Sequence, residues 1–261
     1  MPVERNELVE LLARAGFLSA PEDAAALLAR AGADDALLGR LVDRRLAGEP
    51  LAWLVGFTVF CGHTIVIEPG VYVPREQTEL VAGRAIGLLP ADGVAVDVAT
   101  GSGAVAVALA RARPDALVLA TELDPTSAAC ARANGVVVYE GDLLDPLPAT
   151  AEGLVDVICG SVPYVPTPAL GLLQRDTFRF ETPLAYDGGP DGLGLLRRVA
   201  FDARQWLRPG GALVLELGGD QARALAGDLA TLGYAAIDTL IDSEGDVRGV
   251  EARLASGLTP G

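Results

Sequence analysis

The sequence predicts an α/β fold: a mostly parallel sheet of seven strands with helices on both faces, preceded by a small helical unit and a β-hairpin. Two observations predict this fold. From about residue 80, short apolar runs alternate with glycine-containing loops and helical segments, the order expected of a parallel sheet. Before residue 50, leucines and alanines recur at helical spacing. The 261 residues are 51% hydrophobic, which supports a sizeable core.

Residues 1–50 predict a helical domain. The segment NELVELLARAGF repeats its leucines at helical spacing. Ser19 and Pro21 mark the start of a second helix, as an N-cap and a first-turn proline. A third helix, in ADDALLGRLVDRRLAG, ends at Gly48. Residues 51–78 combine aromatic and β-branched residues with glycine breaks, and they predict a β-hairpin linker.

The remaining residues, 79–261, predict the sheet domain. Its expected strands, in chain order, are GVAVDVAT, ALVLATEL, VVVYEGDLL, LVDVICGSVPY, GALVLELG, 234–241 and 247–254. Helices are expected in GSGAVAVALARAR, in DPTSAACARANG and near 191–207, the last after a long irregular segment. Sheets of this kind bind ligands outside the carboxyl ends of their strands, near the point where the winding reverses. We therefore expect the functional site at that edge.

Composition excludes several classes of function. The net charge of −15 argues against broad nucleic-acid binding, which draws its affinity from basic residues that neutralise phosphates. All 20 basic residues are arginine, which rules out a Schiff-base lysine or a P-loop lysine. One histidine, His63, and three separated cysteines give no metal cluster. Classical Ser-His or Cys-His catalysis would depend on His63 alone.

No membrane segment or leader is predicted. No apolar run approaches the ~20 residues that span a bilayer, and the charged start MPVERNELVE lacks the basic-then-apolar pattern of a secretory signal. We expect a cytoplasmic protein that is a monomer or a weak dimer.

A glycine loop after the first strand of the sheet domain is the candidate cofactor site. It contains Asp97, Thr100, Gly101 and Gly103, and glycines let a backbone approach a ligand closely. Glu122, at the end of the second strand, is placed to accept hydrogen bonds from both ribose hydroxyls of an adenosine cofactor. A nicotinamide dinucleotide is the rival ligand, but the third glycine of G-x-G-x-x-G is missing. A tight turn without a ligand is the other alternative.

Several motifs together resemble one enzyme family. DVATGSGAVAVALA, residues 97–110, is similar to motif I of class I S-adenosylmethionine-dependent methyltransferases, and LRPGGALVLELG resembles the entry to their fifth strand. More narrowly, residues 48–81 resemble the linker of the HemK/PrmC group, which ends in a PRPETE signature. FETPLAYDGGPDGLGLLRRV, residues 180–199, resembles the loop and helix after that group's fourth strand. This group methylates the glutamine side-chain amide of the GGQ motif in peptide-chain release factors.

The resemblance implies a Rossmann-like class I methyltransferase fold, the cofactor S-adenosyl-L-methionine and a release-factor acceptor. It implies that residues 1–50 recognise the substrate, that 51–78 form the linker and that 79–261 form the catalytic domain. It also implicates Asp142, which follows the third strand, where related enzymes touch the adenine amino group; a helix or turn cap is the other interpretation. Ala99 departs from the family pattern, because motif I usually has glycine there.

The segment Ser161-Val162-Pro163-Tyr164 aligns with the family's Asn-Pro-Pro-Tyr motif, so the resemblance makes these four the catalytic residues. In the family, the Asn oxygen and the carbonyl of the first Pro accept the two amide hydrogens, and Tyr packs on the planar amide. Here Val162 keeps a carbonyl, whereas Ser161 brings a shorter hydroxyl that also donates. Ser161 is also expected to border the cofactor. A rigid strand-end turn without a catalytic role is the alternative.

The linker signature departs from the family as well. It reads PREQTE instead of PRPETE, and its Arg75, Thr78 and Glu79 are kept. The resemblance implies that these three residues line the substrate pocket or support it. Glu181 is also a candidate for the pocket, because it borders the irregular segment. Tyr186 borders the same irregular segment.

Four functions remain open at this point. The first is a release-factor glutamine methyltransferase that tolerates the altered motif. The second is a diverged paralogue that methylates a nitrogen or oxygen of a small molecule. The third is a nucleic-acid adenine methyltransferase, which the acidic balance disfavours. The fourth is a binding protein that keeps the fold without catalysis. The helical N-terminal segment and the linker favour the first.

Overall fold

A computed structural model describes residues 5–172 and 180–256 of the chain. The outermost residues of the two predicted domains, 1–4 and 257–261, lie outside the described residues. So does part of the predicted irregular segment, residues 173–179. Within the described ranges, no helix is both long enough and apolar enough to cross a membrane.

Four helices open the chain and share one apolar cluster. They are α1 (Arg5–Arg14), α2 (Ala20–Ala31), α3 (Asp35–Leu46) and α4 (Leu51–Val55). Their buried residues include Leu8, Leu12, Leu27, Leu41 and Leu54. The N-cap of α3 is Asp34, whose side chain accepts the backbone N–H of Leu37 at 2.8 Å. Ser19 precedes α2 as expected, but its side chain makes no capping hydrogen bond.

The linker begins with a helical turn, α4, that the hairpin prediction did not include. Its five residues are too few to show a helical period in the sequence. The hairpin itself is short: β1 (Phe57–Phe60) pairs antiparallel with β2 (His63–Val66). Asn134 joins the hairpin to the sheet domain, because its amide accepts the N–H of Val66 at 2.8 Å and donates to the carbonyl of Ser102 at 2.9 Å. The linker is thereby tied to the predicted cofactor loop.

The central sheet has the predicted seven strands. They are β3 (Val94–Val98), β4 (Leu117–Glu122), β5 (Val137–Glu140), β6 (Val155–Gly160), β7 (Leu207–Glu216), β8 (Tyr234–Ile241) and β9 (Val247–Leu254). Their order across the sheet is β5-β4-β3-β6-β7-β9-β8. The first five are parallel, and β9 runs antiparallel to both β7 and β8. The prediction of a mostly parallel, seven-stranded sheet is confirmed.

Helices cover both faces of this sheet. They are α5 (Thr78–Leu88), α6 (Ala104–Ala112), α7 (Pro125–Ala133), α8 (Gly194–Trp206) and α9 (Gln221–Thr231). On one face, buried residues of α5 and α6 such as Ala82 and Leu109 form a core with the sheet. On the other face, buried residues of α8 and α9 such as Leu196 and Leu225 do the same. Helices α5 and α9 have no counterpart among the predicted elements.

The winding of the sheet reverses between β3 and β6. From β3 the chain steps outward to β4 and β5, and it then returns to place β6 and β7 on the other side of β3. The loops after β3 and β6 therefore diverge and leave a crevice at the carboxyl edge, the usual ligand position in such sheets.

Candidate active site

The loop after β3 turns sharply through several residues in the left-handed region. The φ angles are +54° at Ala99, +58° at Gly101 and +85° at Gly103. A side chain at Gly103 would bring its Cβ within 2.8 Å of a methyl carbon of Val136, so the start of α6 packs too closely for any residue but glycine. The loop exposes backbone in place of side chains, as a ligand that lies against it requires.

Asp97 lies beneath this loop and braces it. Its Oδ2 accepts a hydrogen bond from the hydroxyl of Thr100 at 2.5 Å and another from the N–H of Ala106 at 3.1 Å. Burial raises the pKa of Asp97 to about 7, although both hydrogen bonds lower it. Thr100 is anchored further by its own N–H, which donates to the carbonyl of Thr121 at 3.0 Å. Asp97 and Thr100, both predicted cofactor residues, thus stabilise the conformation of the loop through their hydrogen bonds.

Glu122 faces the same loop from the end of β4. One carboxylate oxygen accepts the N–H of Gly101 at 2.8 Å, and the other accepts the N–H of Asp124 at 2.9 Å. Burial raises the pKa of Glu122 above its ordinary value, against these backbone hydrogen bonds. A carboxylate offers about four acceptor positions, so the backbone donors of Gly101, Leu123 and Asp124 leave capacity for a hydroxyl donor.

Asp142 lies at the next strand, β5, on the same edge. The N–H of Gly141 donates to the carbonyl of Glu122 at 2.9 Å, which fixes the two loops side by side. The Asp142 side chain forms a half-exposed ion pair with Arg198 of α8, 2.8 Å apart. The structure therefore places Asp142 at the same sheet edge as Glu122 and adds a partner, Arg198, that sequence reasoning missed.

These residues fit an adenosine-containing cofactor. A Cβ at Gly101 would meet nothing within 4 Å, so the loop is open there, and the Gly101 N–H donates a hydrogen bond to Glu122 that orients the carboxylate toward the loop. Gly101, Glu122 and Asp142 are the residues that would hold the nucleoside. Within the described ranges, no three His, Cys, Asp or Glu side chains come together as metal ligands.

The SVPY segment begins directly beside the cofactor loop. Strand β6 ends at Gly160, where a Cβ would lie 2.5 Å from the carbonyl oxygen of Val98. Ser161 follows and is half-buried, whereas the Val162 side chain is fully buried in the core. Among the described residues, none forms a hydrogen bond with the Ser161 hydroxyl. Val162 stands where the family motif has its first proline, and burial of the Val162 side chain anchors the segment in place of that proline ring.

Two glycines and a glutamine hold the SVPY segment from the opposite side. The carbonyl of Tyr164 accepts the side-chain N–H of Gln221 at 2.8 Å. Gly188 approaches the carbonyl of Pro163 so closely that a Cβ would lie 2.7 Å from it. At Gly192, an added Cβ would collide with the carbonyl oxygen of Tyr164 and the amide nitrogen of Gln221. The loop after residue 180 is therefore packed onto the backbone of the SVPY segment, which we also call the acceptor segment because the resemblance assigns it that role.

The Tyr164 hydroxyl is bound to two residues that the sequence did not single out as site residues. It donates to Oε1 of the buried Glu216 at 3.0 Å, and Gln77 of the linker donates to the same hydroxyl at 3.3 Å. Burial, followed by the charge of Glu216, raises the pKa of Tyr164 well above its ordinary value. Tyr164 stays neutral and keeps its proton for this hydrogen bond.

Arg75 and Glu181, two of the predicted pocket residues, form an ion pair. The guanidinium of Arg75 lies 2.6 Å from the fully buried carboxylate of Glu181 and donates to the Tyr186 hydroxyl at 3.0 Å. Tyr186 also donates to Glu181, and Tyr72 packs edge-on against Tyr186 with 5.6 Å between ring centroids. We call these four residues the Arg75 cluster. It joins the linker to the loop that supports the SVPY segment.

The other two predicted pocket residues are Thr78, whose N–H donates to the carbonyl of Arg75 at 3.1 Å, and Glu79. Thr78 is buried at the first position of α5. Glu79 accepts the N–H of Cys61 at 2.7 Å, and so supports the hairpin turn. A role for either residue at the acceptor remains a prediction.

A cavity of about 370 Å³ opens between the N-terminal helices and the linker. Its walls include Arg45, Leu51, Phe57 and Arg75. Because Arg75 belongs both to this wall and to the Arg75 cluster, the cavity adjoins that cluster.

Comparison with known proteins identifies the family. No family model matches the chain. The release factor glutamine methyltransferase of Geobacter sulfurreducens is 36% identical over 220 residues, which cover 82% of this chain and 76% of the relative. The protein of the same name from Moorella thermoacetica is 40% identical over 200 residues, which cover 72% and 69%. The chain belongs to the release factor glutamine methyltransferase family. It is therefore a methyltransferase, as the motifs predicted.

Solved structures confirm the fold of this family member. The E. cuniculi Mtq2–Trm112 complex, responsible for methylation of the termination factor eRF1, contains a chain with a TM-score of 0.51. It is 23% identical, and the match covers 72% of this chain and 99% of that one. A Pyrococcus furiosus methyltransferase gives a TM-score of 0.53 at 20% identity, over 75% and 90%. The Rossmann-like methyltransferase fold is confirmed.

One relative outside the release-factor group acts on a small molecule. The 4-amino-L-phenylalanine/4-methylamino-L-phenylalanine methyltransferase of Streptomyces pristinaespiralis is 37% identical over 191 residues, which cover 69% of this chain and 65% of the relative. The scaffold therefore occurs with more than one kind of nitrogen acceptor.

Proposed function

We propose that the protein transfers a methyl group from S-adenosyl-L-methionine to the side-chain amide nitrogen of glutamine in the GGQ motif of a peptide-chain release factor. The observation that carries this proposal is the position of the SVPY segment. It leaves β6 beside the Asp97–Gly103 loop, at the point where the winding of the sheet reverses. The names of the family's curated members support the choice of acceptor.

An amide nitrogen is a weak nucleophile because its lone pair is delocalised into the carbonyl. The site must therefore accept its N–H groups and direct the lone pair at the methyl group. The carbonyl of Val162 and the free hydroxyl of Ser161 are the acceptors that the SVPY segment offers, and the ring of Tyr164 offers a flat surface for the amide plane. S-adenosyl-L-methionine supplies the electrophilic methyl group on a sulfonium. Alignment at close range contributes several kcal/mol, roughly 7–11 in the best intramolecular cases.

The cofactor and acceptor halves of the site are held by different contacts. Gly101, Glu122 and Asp142 serve the nucleoside, whereas the packing of Gly188 and Gly192 serves the acceptor segment. A substitution in one half should therefore leave the other largely intact, which allows the halves to be tested separately.

We further propose that residues 1–50 dock the acceptor protein, with 51–78 as the linker and 79–261 as the catalytic domain. Support comes from the separate apolar cluster of the four N-terminal helices and from the cavity between them and the linker. A release-factor acceptor would place the protein in the cytoplasm, where termination takes place.

The second candidate is methylation of a small aromatic amine or amide. Two observations favour it: Ser161 stands where the family has the acceptor-binding Asn, and the Streptomyces pristinaespiralis relative acts on 4-amino-L-phenylalanine. Under this proposal the Ser161 hydroxyl accepts an amine hydrogen, and Tyr164 packs against an aromatic ring instead of an amide.

A comparison of acceptors distinguishes the two candidates. Purified protein is incubated with S-adenosyl-L-methionine and either a release-factor domain that carries GGQ or 4-amino-L-phenylalanine, and S-adenosylhomocysteine is quantified. The proposed function requires a higher kcat/KM for the release-factor domain. Turnover of the aromatic amine alone would establish the second candidate.

A further inference from the structure

The carboxylate of Glu216 is buried at the carboxyl end of β7 and lacks a cationic partner among the described residues. Oε1 receives two hydrogen bonds, from the Tyr164 hydroxyl at 3.0 Å and from the Gln77 amide nitrogen at 3.4 Å. Oε2 is also buried, and no donor in the described part of the chain reaches it. A buried carboxylate with neutral partners and one unsatisfied oxygen is costly for folding, so stability does not account for a charged residue at this position.

A nearby residue shows how a carboxylate serves stability in the same sheet. Glu251, on the adjacent strand β9, is also buried, but it is paired through both oxygens with Arg84 of α5. Glu216 lies next to the SVPY segment and has no such pair within residues 5–172 and 180–256, whereas Glu251 lies against a helix and has one.

The two hydrogen-bond partners of Glu216 come from different segments, so the carboxylate fixes the position of one segment relative to the other. Tyr164 belongs to the acceptor segment and Gln77 to the linker, and the two side chains also contact each other at 3.3 Å. Among the described residues, Glu216 and Gln77 are the only hydrogen-bond partners of the Tyr164 hydroxyl. The orientation of the Tyr164 ring therefore depends on the carboxylate at the end of β7.

We propose that Glu216 is a positioning residue for methyl transfer: it fixes the Tyr164 ring against the acceptor and holds the linker in register through Gln77. This role rests on the proposed function, because the ring matters only if a planar acceptor packs on it. Glu216 acts through the Tyr164 hydroxyl and does not touch the acceptor.

A set of four variants tests this role on the full chain. Glu216→Leu removes the acceptor for the Tyr164 hydroxyl, Tyr164→Phe removes the donor, and the double variant removes both. Glu216→Gln keeps an oxygen at the Oε1 position, where both donors point. For each variant, kcat and KM for the GGQ domain, the Kd of S-adenosyl-L-methionine and the unfolding temperature are measured. Glu251→Gln is the control for loss of a buried carboxylate charge in the sheet.

The expected pattern is specific to positioning. Glu216→Leu and Tyr164→Phe each lower kcat at least about 10-fold, since a misplacement of about 1 Å is enough for such a loss. The double variant is no worse than either single variant, because both remove the same hydrogen bond. Glu216→Gln stays within about 3-fold of the wild type, because an acceptor oxygen remains. Cofactor Kd is unchanged throughout, and Glu251→Gln alters the unfolding temperature without altering kcat.

Three results would overturn the proposal. The first is a folded Glu216→Leu variant with wild-type kcat. The second is a pair of losses that multiply in the double variant, which would show that the two residues act independently. The third is a Glu216→Gln rate as low as that of Glu216→Leu. A wild-type protein without activity on the GGQ domain would instead remove the proposed function, and the role of Glu216 with it.

Discussion

Ser161 is the residue at which this chain departs most from the chemistry that its family implies. A serine hydroxyl is shorter than an asparagine amide and can donate as well as accept, so it holds an amide N–H less firmly. Its half-buried position beside Gly160 nevertheless places it at the mouth of the crevice. The release-factor proposal thus depends on whether a weaker acceptor at this position is sufficient.

Ser161→Asn should increase glutamine methylation. An added hydrogen bond to the reacting amide contributes about 1–3 kcal/mol, so we expect kcat/KM for the GGQ domain to rise about 5-fold or more. The measurement is S-adenosylhomocysteine formation at several acceptor concentrations, with cofactor Kd as the control. A flat or lower rate would show that Ser161 is adapted to a different acceptor.

Ala99 carries backbone strain where the family has glycine. Its φ of +54° lies in the left-handed region, which costs an alanine about 1–2 kcal/mol, while glycine loses about 0.5–1 kcal/mol more chain entropy on folding. Ala99→Gly should therefore raise the unfolding free energy by up to about 1 kcal/mol, measured by urea denaturation.

Ala236 provides the matched control for that strain. It has a φ of +47° and lies on β8, at the far edge of the sheet. Ala236→Gly should give a similar gain in stability with no change in cofactor affinity. If Ala99→Gly lowers stability while Ala236→Gly raises it, the Ala99 methyl group stabilises the loop by more than its backbone strain costs.

At the scale of elements, the loop after residue 180 controls the shape of the acceptor segment. Gly192, with a φ of +73°, touches the backbone of Tyr164, so a methyl group there must displace the segment. Gly192→Ala should lower kcat/KM for the acceptor at least about 10-fold and leave the cofactor Kd unchanged.

A substitution at Gly189 serves as the control, because it separates the effect of backbone strain from the effect of a steric clash with Tyr164. Its φ is +90°, but a Cβ there would meet nothing within 4 Å. Gly189→Ala introduces comparable left-handed strain without touching Tyr164, and it should keep activity within about 3-fold. Equal losses in the two variants would contradict a specific contact between this loop and the acceptor segment.

Elements with a strong period or clear end signals could be predicted from the sequence. GVAVDVAT and LVDVICGSVPY contain β3 and β6, because buried parallel strands appear as short apolar runs before glycine. Helix α4 has only five residues, which is too short to show a period. Helix α5 carries Gly83 and Gly87 in its interior, and glycine weakens the helical signal.

The candidate site could be predicted only in part, for a related reason. Asp97 and Glu122 lie at the ends of their strands and Tyr164 follows its strand, so the parallel sheet brings them to one edge. Glu216 is the last residue of a strand, yet nothing in LVLELG shows that its carboxylate would meet Tyr164 and Gln77, 52 and 139 residues away in the chain. Such contacts depend on tertiary packing, which one sequence does not display.

At the scale of the whole molecule, one buried carboxyl links stability to pH. The pKa of Asp97 is about 7 in the folded chain, and its ordinary value is 3.8. The folded state therefore holds a proton that the unfolded state releases between these values. The associated stability is fully present below the unfolded pKa and is lost as pH rises to about 7.

Asp97→Asn should remove this pH dependence. Between pH 5 and 6, the unfolding free energy of the wild type should fall by about 1.4 kcal/mol per pH unit relative to the variant. Urea denaturation of both proteins at pH 5, 6, 7 and 8 measures the difference. Parallel stability curves would contradict a neutral Asp97 in the folded state.

The most direct test of the account is mass spectrometry of the acceptor peptide. The protein is incubated with S-adenosyl-L-methionine and a release-factor domain, and the GGQ peptide is compared with that of a domain carrying GGA. The account predicts one added methyl group on the glutamine side chain and none on the GGA peptide. An unmodified GGQ peptide, from a protein shown to bind the cofactor, would contradict it and would place the acceptor elsewhere.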